Sequence, residues 1–245
     1  MGVIHFIVQG KGGVGKSVIA SLLYQTVKEL GFEAKAFDTD PVNHTLAGYK
    51  EFNAQALDIM DGDNIDQRKF DFLMEGLLEL GENEHAVVDN GASSFVAFTS
   101  YLNSNDAVQV LQDAGHTVYF HSVLTGGQAI LDTVQGLKFI CLKITNAPIV
   151  VWLNPFFGQI SLDGKSFENF KVYKDHSEQF SAIVAIPHGN ASTIGKDLEE
   201  LFARRQSFSA AIDSSLPVMV RSRLKKYWRE LVEIISQAPF SQKSA

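Results

Sequence analysis

Two hydrophobic periods alternate along the chain. Short apolar runs of strand type occupy 3–8 (VIHFIV), 34–37 (AKAF), 86–88 (AVV), 116–123, 149–153 (IVVWL) and 182–188 (AIVAIPH). Between them, apolar residues recur three and four positions apart, the spacing of one helical face. Ile19, Leu22, Leu23, Val27 and Leu30 make the first such face, with Gly31 as its stop. Phe70, Leu73, Leu77 and Leu80 make the second, and 95–102, 106–111 and Ile130, Val134 and Leu137 continue the series. Further helices are expected over 192–202 and 208–212. The run 149–153 is continuous and β-branched, as a strand buried on both faces requires, and 182–188 reads as a last buried strand. Six strands alternating with helices predict the α/β class: one doubly wound, mostly parallel sheet flanked by helices. No repeat or linker interrupts it, so 1–245 reads as a single domain. Two stretches fit less well. Residues 42–50 are polar and small and read as the rest of a mobile switch, and 60–64 as a turn. The motif Asp163-Gly164-Lys165-Ser166 reads as a turn into a charged, partly aromatic helix.

The first strand runs directly into Gly10-Lys11-Gly12-Gly13-Val14-Gly15-Lys16-Ser17, a glycine, four residues, then Gly-Lys-Ser. This is the phosphate-loop pattern, and strand, loop and helix stand in the order it needs. Gly10, Gly12, Gly13 and Gly15 lack Cβ, so the backbone can take positive φ and approach a polyphosphate closely. The loop amides then point inward at the positive end of the following helix. Lys16 is expected on the β- and γ-phosphates and the Ser17 hydroxyl on Mg²⁺. The loop therefore reads as the site of a polyphosphate with Mg²⁺.

Later strands deliver more chemistry at the same sheet edge, where ligands of open α/β sheets bind. Asp38-Thr39-Asp40-Pro41 follows the second strand. Two carboxylates flanking one residue suit an Mg²⁺ shell or a held water; an Asp-Pro turn is the plain alternative. A phosphate loop one strand away favours the chemistry. Ala86-Val87-Val88-Asp89 then reads as a Walker B strand, Asp89 holding Mg²⁺ through a water and Gly91 sensing the γ-phosphate as a hinge. Asn154-Pro155 closes the fifth run and Ile186-Pro187 the sixth. An Asn-Pro turn explains the former as well as a ligand contact does.

With Lys11 after its first glycine, the loop KGGVGKS resembles the deviant phosphate loop of the ParA/MinD family of dimerising ATPases. The resemblance implies that the polyphosphate is ATP, bound with Mg²⁺, and that Lys11 reaches across a subunit interface to the partner's nucleotide. It further implies that Asp40 positions the attacking water, that Asn154 reads adenine, and that the base-binding loop begins at Pro187. The longer series QGKGGVGKS, DTDPVN, AGYK, VVDNGASSFVA, LTGGQAILDTV, VVWLNPFFG and GKSFE resembles the TraL nucleotide-binding proteins of conjugative plasmids, which implies an accessory ATPase of conjugal DNA transfer with a protein partner in that system. The chain departs from partition ATPases at Asn90-Gly91, where Thr/Ser-Pro is usual, and at Val42-Asn43, where Gln-Gly is. A nucleotide switch without turnover is the alternative those departures support, with a plasmid-partition ATPase beside it. A ligase or kinase like dethiobiotin synthetase would need an acceptor pocket, and no constellation here supplies one.

Bulk properties narrow the setting. Apolar residues make up 45% of the 245 and charged ones 20%, the balance of a water-soluble globular chain. A formal charge of −7 speaks against a stand-alone DNA binder, which carries a basic excess. The one cysteine, Cys141, lies in an apolar stretch and reads as packing; it rules out an intrachain disulfide and fits a reducing cytoplasm. No signal-peptide pattern opens the chain and no run of about 18 apolar residues spans a bilayer. At about 219–236, Leu224, Tyr227, Trp228, Leu231 and Ile235 share a helical face beside Arg221, Arg223, Lys225, Lys226 and Arg229. Such a basic amphipathic helix either lies on a membrane or packs on its own domain, and packing is the commoner case. Residues 241–245 read as a frayed end.

Overall fold

The computed structural model describes residues 1–242. Seven strands form one parallel sheet: β1 (Val3–Ile7), β2 (Glu33–Asp38), β3 (Gln55–Ala56), β6 (Glu84–Asp89), β7 (Thr117–Thr125), β8 (Ile149–Asn154) and β9 (Phe180–Ala185). Their spatial order is β3-β2-β6-β1-β7-β8-β9, with every pairing parallel. The remaining two, β4 (Met60–Asp61) and β5 (Asn64–Ile65), make a separate antiparallel hairpin turning at Gly62.

Both faces of the sheet are covered. Along β1 the side chains alternate, Ile4 and Phe6 into one core and Ile7 into the other, as a period of two dictates. Helices α2 (Phe70–Leu78), α3 (Phe95–Ser104), α4 (Ala107–Asp113), α5 (Ile130–Lys143) and α6 (Lys171–His176) contribute to the first core. The second takes α1 (Lys16–Glu29), α7 (Lys196–Ala203), α8 (Phe208–Ile212) and α9 (Val218–Ser236). This is the doubly wound arrangement that the alternation of periods predicts. Cys141 is buried in the first core, and burial pushes its thiol up to about 12.

Three expectations need correction. The segment after Asp40 is folded: Leu46, Tyr49 and Phe52 are buried, 50–52 form a 3₁₀ turn, and β3 pairs with β2 as a seventh strand. Two residues are too few for a strand period to show in sequence. The last strand is an edge and not a buried element: Ile183 and Ala185 are exposed and only Val184 is buried. Pro187 lies beyond it, in a loop. At the carboxyl end, Pro239–Ser241 form a 3₁₀ turn with Phe240 buried, so Ser241 is not frayed; the rest of that expectation, for 243–245, falls outside the described residues.

The apolar face of α9 is spent internally. Leu224, Tyr227, Trp228, Leu231 and Ile235 are all buried, with Phe208 stacked on Trp228 at 4.7 Å between ring centres. Arg223 is bonded to Asp197 of α7. The helix packs on the chain itself, and among the described residues no helix is long and apolar enough to cross a membrane.

Four polar rings thread the core on the α1 side. Trp152 donates its indole N–H to His121 Nδ1 at 2.9 Å, His121 Nε2 meets His5 Nδ1 at 2.9 Å, and His5 Nε2 meets His85 Nδ1 at 2.9 Å. An indole nitrogen can only donate. The direction of every bond follows, and all three imidazoles are neutral.

Candidate nucleotide site

The site is built at the carboxyl ends of β1, β2, β6 and β8. Gly13 (φ 74°) and Gly15 (φ 100°) take the left-handed conformation that opens the loop; Gly10 and Gly12 do not. Gly10 serves a different need, since a Cβ there would sit 3.0 Å from the Phe95 ring. Gly15 caps α1 with no side-chain hydrogen bond and no acidic residue follows in the first turn. The first amides of α1 therefore keep their donors for an anion. Lys16 is buried and donates to the Lys11 carbonyl at 3.2 Å. Burial lowers its pKa, opposed by Asp89 and Asp40.

Asp89 ends β6, 1% exposed, with the Ser17 side chain hydrogen-bonded to it. Burial pushes its carboxyl up to about 7, against the pull of Ser17 and Lys16. Its Oδ2 has no hydrogen-bond partner. A buried acceptor left open beside a lysine and a serine fits a hydrated cation.

Asp38 and Asp40 divide their work. Asp38 is fully buried and accepts from the Asp40 and Ala47 amides at 3.1 and 2.9 Å, so it shapes the loop. Asp40 is half-buried and accepts from the Val42 and Asn43 amides at 2.9 and 3.2 Å. It lies against Gly91, where a Cβ would come within 2.9 Å of the Asp40 Cγ. Gly91 is thus required by contact between the two segments.

Sequence reasoning missed the polar tie behind them. The Thr39 hydroxyl donates to Asn90 Oδ1 at 3.0 Å, and Ser94 donates to the same oxygen at 3.0 Å. All three are fully buried. The available signal was a hydroxyl between two aspartates and an amide directly after the third. Gln9 was also missed; it anchors the loop's start by donating to Val123 and Thr133 carbonyls at 3.0 and 3.1 Å.

A cavity of about 600 Å³ extends from Gly13 and Gly15 over Val18 and Leu22 of α1 to Asn154 and Pro187. Asn154 and Pro187 thus line one cavity. Asn154, however, donates Nδ2 to the Val14 carbonyl at 3.0 Å and accepts at Oδ1 from the Phe156 amide at 3.2 Å. Lys11 stands apart from the cavity. Its ammonium is paired with Asp132 of α5 in the same chain.

Residues 5–231 match the family described as "CobQ/CobB/MinD/ParA nucleotide binding domain". The protein TraL of Escherichia coli is 44% identical over 240 residues, covering 97% of this chain and 99% of TraL. Among solved structures, a plasmid partition protein of Borrelia burgdorferi B31 bound to AMPPNP has 17% identity and a TM-score of 0.50, over 96% of this chain and 98% of that one. The MinD cell division protein of Aquifex aeolicus has 16% identity and a TM-score of 0.50, over 95% and 98%. At those identities the two structures are alike in fold.

Proposed function

This chain belongs to the CobQ/CobB/MinD/ParA nucleotide-binding family, and we propose that it is an Mg²⁺-dependent ATPase that dimerises around its nucleotide. The observation that carries this is the buried Asp89 carboxylate, its Oδ2 unpartnered, beside Lys16 and Ser17 at an uncapped helix end. Loop amides of Gly10–Ser17 and the Lys16 ammonium would bind the phosphates. Ser17, Asp89 and Asp40 would hold the metal, which when bound neutralises phosphate charge. Asp40 would orient the attacking water, and Gly91, touching Asp40, would report the γ-phosphate to the segment behind it. Asn154 and Pro187 would border the base. The AMPPNP held by the Borrelia protein supports a nucleoside triphosphate in this cavity.

Lys11 would act in trans, its charge stabilising the partner's transition state as an arginine finger does. The likeness to TraL supports an accessory role in conjugal transfer, in the bacterial cytoplasm, with 1–245 acting as one domain and a protein partner from that system. Light scattering with ATP and Mg²⁺ tests the dimer: wild type should double in mass and Lys11→Ala should not. A monomeric wild type, or an unaffected variant, removes the two-subunit site. A pull-down from plasmid-bearing cells with ATP and with ADP tests the partner.

One observation favours a switch with negligible turnover. Asn90 is locked by Thr39 and Ser94 where partition ATPases carry Thr/Ser-Pro. Tight ATP binding without phosphate release, partner present, would support that reading.

A further inference from the structure

The pairing of β2 with β6 ends at Asp38 opposite Asp89, and the next residues carry it further. The Thr39 N–H donates to the Asp89 carbonyl at 2.9 Å. The Thr39 hydroxyl stands 3.0 Å from Asn90 Oδ1 and 3.2 Å from that same carbonyl. From the other side, the Ser94 hydroxyl stands 3.0 Å from Asn90 Oδ1 and 3.1 Å from the Gly91 carbonyl. Asn90 donates its own backbone N–H to the Ile7 carbonyl of β1 at 3.2 Å, so the tie reaches three strands.

The residues it joins flank the candidate metal ligands. Thr39 separates Asp38 from Asp40, and Asn90 separates Asp89 from Gly91. Asp40 takes both of its amide donors at Oδ1, which leaves Oδ2, and Asp89 has Oδ2 unpartnered. Like charges oppose this arrangement. Beyond the effect of burial, the carboxyls of Asp38 and Asp40 push the Asp89 pKa up, with Ser17 and Lys16 against them. One amide and two hydroxyls, all fully buried, bridge the segments without adding charge. Apolar groups of the same shape would serve packing as well, whereas a satisfied buried polar network fixes a single arrangement.

We propose that Thr39 and Asn90 are positioning residues, their side-chain bond holding the Asp40 segment to the Asp89–Gly91 segment so that the two move as one body. Whatever displaces Gly91 then displaces Asp40, and Asp89 and Asp40 are presented to Mg²⁺ together. This rests on the reading of the sheet edge as an Mg²⁺-nucleotide site, and it serves a hydrolysing site and a switch without turnover alike.

Hydrogen exchange of the full chain without nucleotide, read by mass spectrometry, tests the coupling. Thr39→Val keeps the shape and removes the hydroxyl. Exchange should rise about tenfold, the worth of one buried hydrogen bond, over 40–48 and over 90–95 together. Thr39→Ser should match wild type, and Asn90→Ala should loosen both segments further; if Asn90→Ala does not fold, Thr39→Val decides alone. Mg²⁺ gives the second readout. Its addition should tighten ATP binding about tenfold less in Thr39→Val than in wild type or Thr39→Ser. Binding in EDTA should be equal in all three, because Gly10–Ser17 is untouched; a general loss of structure would weaken it. Exchange that rises in one segment alone or in neither, or an undiminished Mg²⁺ effect in Thr39→Val, overturns the proposal. Binding of no nucleotide by the folded wild type overturns the site reading, and the exchange result then decides the tie by itself.

Discussion

The Lys11 ammonium lies 2.8 Å from Asp132 Oδ2, on the first turn of α5 in the same chain. The residue that family resemblance assigns to a partner's nucleotide is, in the single chain, tethered at home. Both side chains are about half exposed, so the pair contributes less than about 1 kcal/mol to stability. Asp132→Ala should therefore leave the melting temperature nearly unchanged. It should lower the protein concentration at which ATP drives dimerisation, read by sedimentation velocity. An unchanged dimerisation curve would show that the pair does not restrain Lys11.

Asp89 is held in the folded chain at a cost in stability. Its folded pKa of about 7 lies above the ordinary 3.8, so between those values the folded state binds more protons than the unfolded. Stability from this group then falls as pH rises from about 4 to about 7, and stays lost above. Asp89→Asn should stabilise the ligand-free chain at pH 8, on the order of a few kcal/mol, and abolish Mg²⁺-dependent phosphate release. Urea midpoints check it: the gap between variant and wild type should be wider at pH 8 than at pH 5.

The histidine chain has the opposite sign. Burial lowers His121 to about 3, His85 to about 4, and His5 well below its ordinary 6.5. Unfolding below 6.5 thus takes up protons, so stability rises with pH and is complete above about 6.5. In the Asp89→Asn background, urea midpoints should climb from pH 4.5 to 6.5 and then level. A flat profile would contradict three neutral imidazoles bonded in one direction.

Docking of α9 is an ordinary core interaction with an ordinary cost. Leu231 is fully buried in the second core, and Leu231→Ala should cost about 2–5 kcal/mol. Thermal unfolding should show one destabilised transition; an unchanged melting temperature would mean that the helix does not pack as described.

How much of this was legible depends on distance along the chain. The loop Gly10–Ser17 is read from eight consecutive residues because strand, glycines, lysine and helix must be contiguous for backbone amides to converge. Asp40 and Asp89 were legible as candidates because one closely follows an apolar run and the other ends one, and a parallel sheet delivers all such ends to one edge. The two-residue strand β3 was not legible, since its only reason to extend is the free edge of β2. Nor was the exposure of β9, whose apolar sequence matches that of a central strand.

The sequence by itself determined the class of fold and the loop that makes the candidate anion site, because periodicity and local backbone freedom act over a few residues. Tertiary structure alone decided what the side chains face. It turned Asp38 inward to the Ala47 amide, left Asp89 Oδ2 open, and closed Asn90 between Thr39 and Ser94. It also tied Lys11 to a carboxylate 121 positions away. Partners of that kind are set by the register of strands far apart in sequence, which local hydrophobic patterns do not encode.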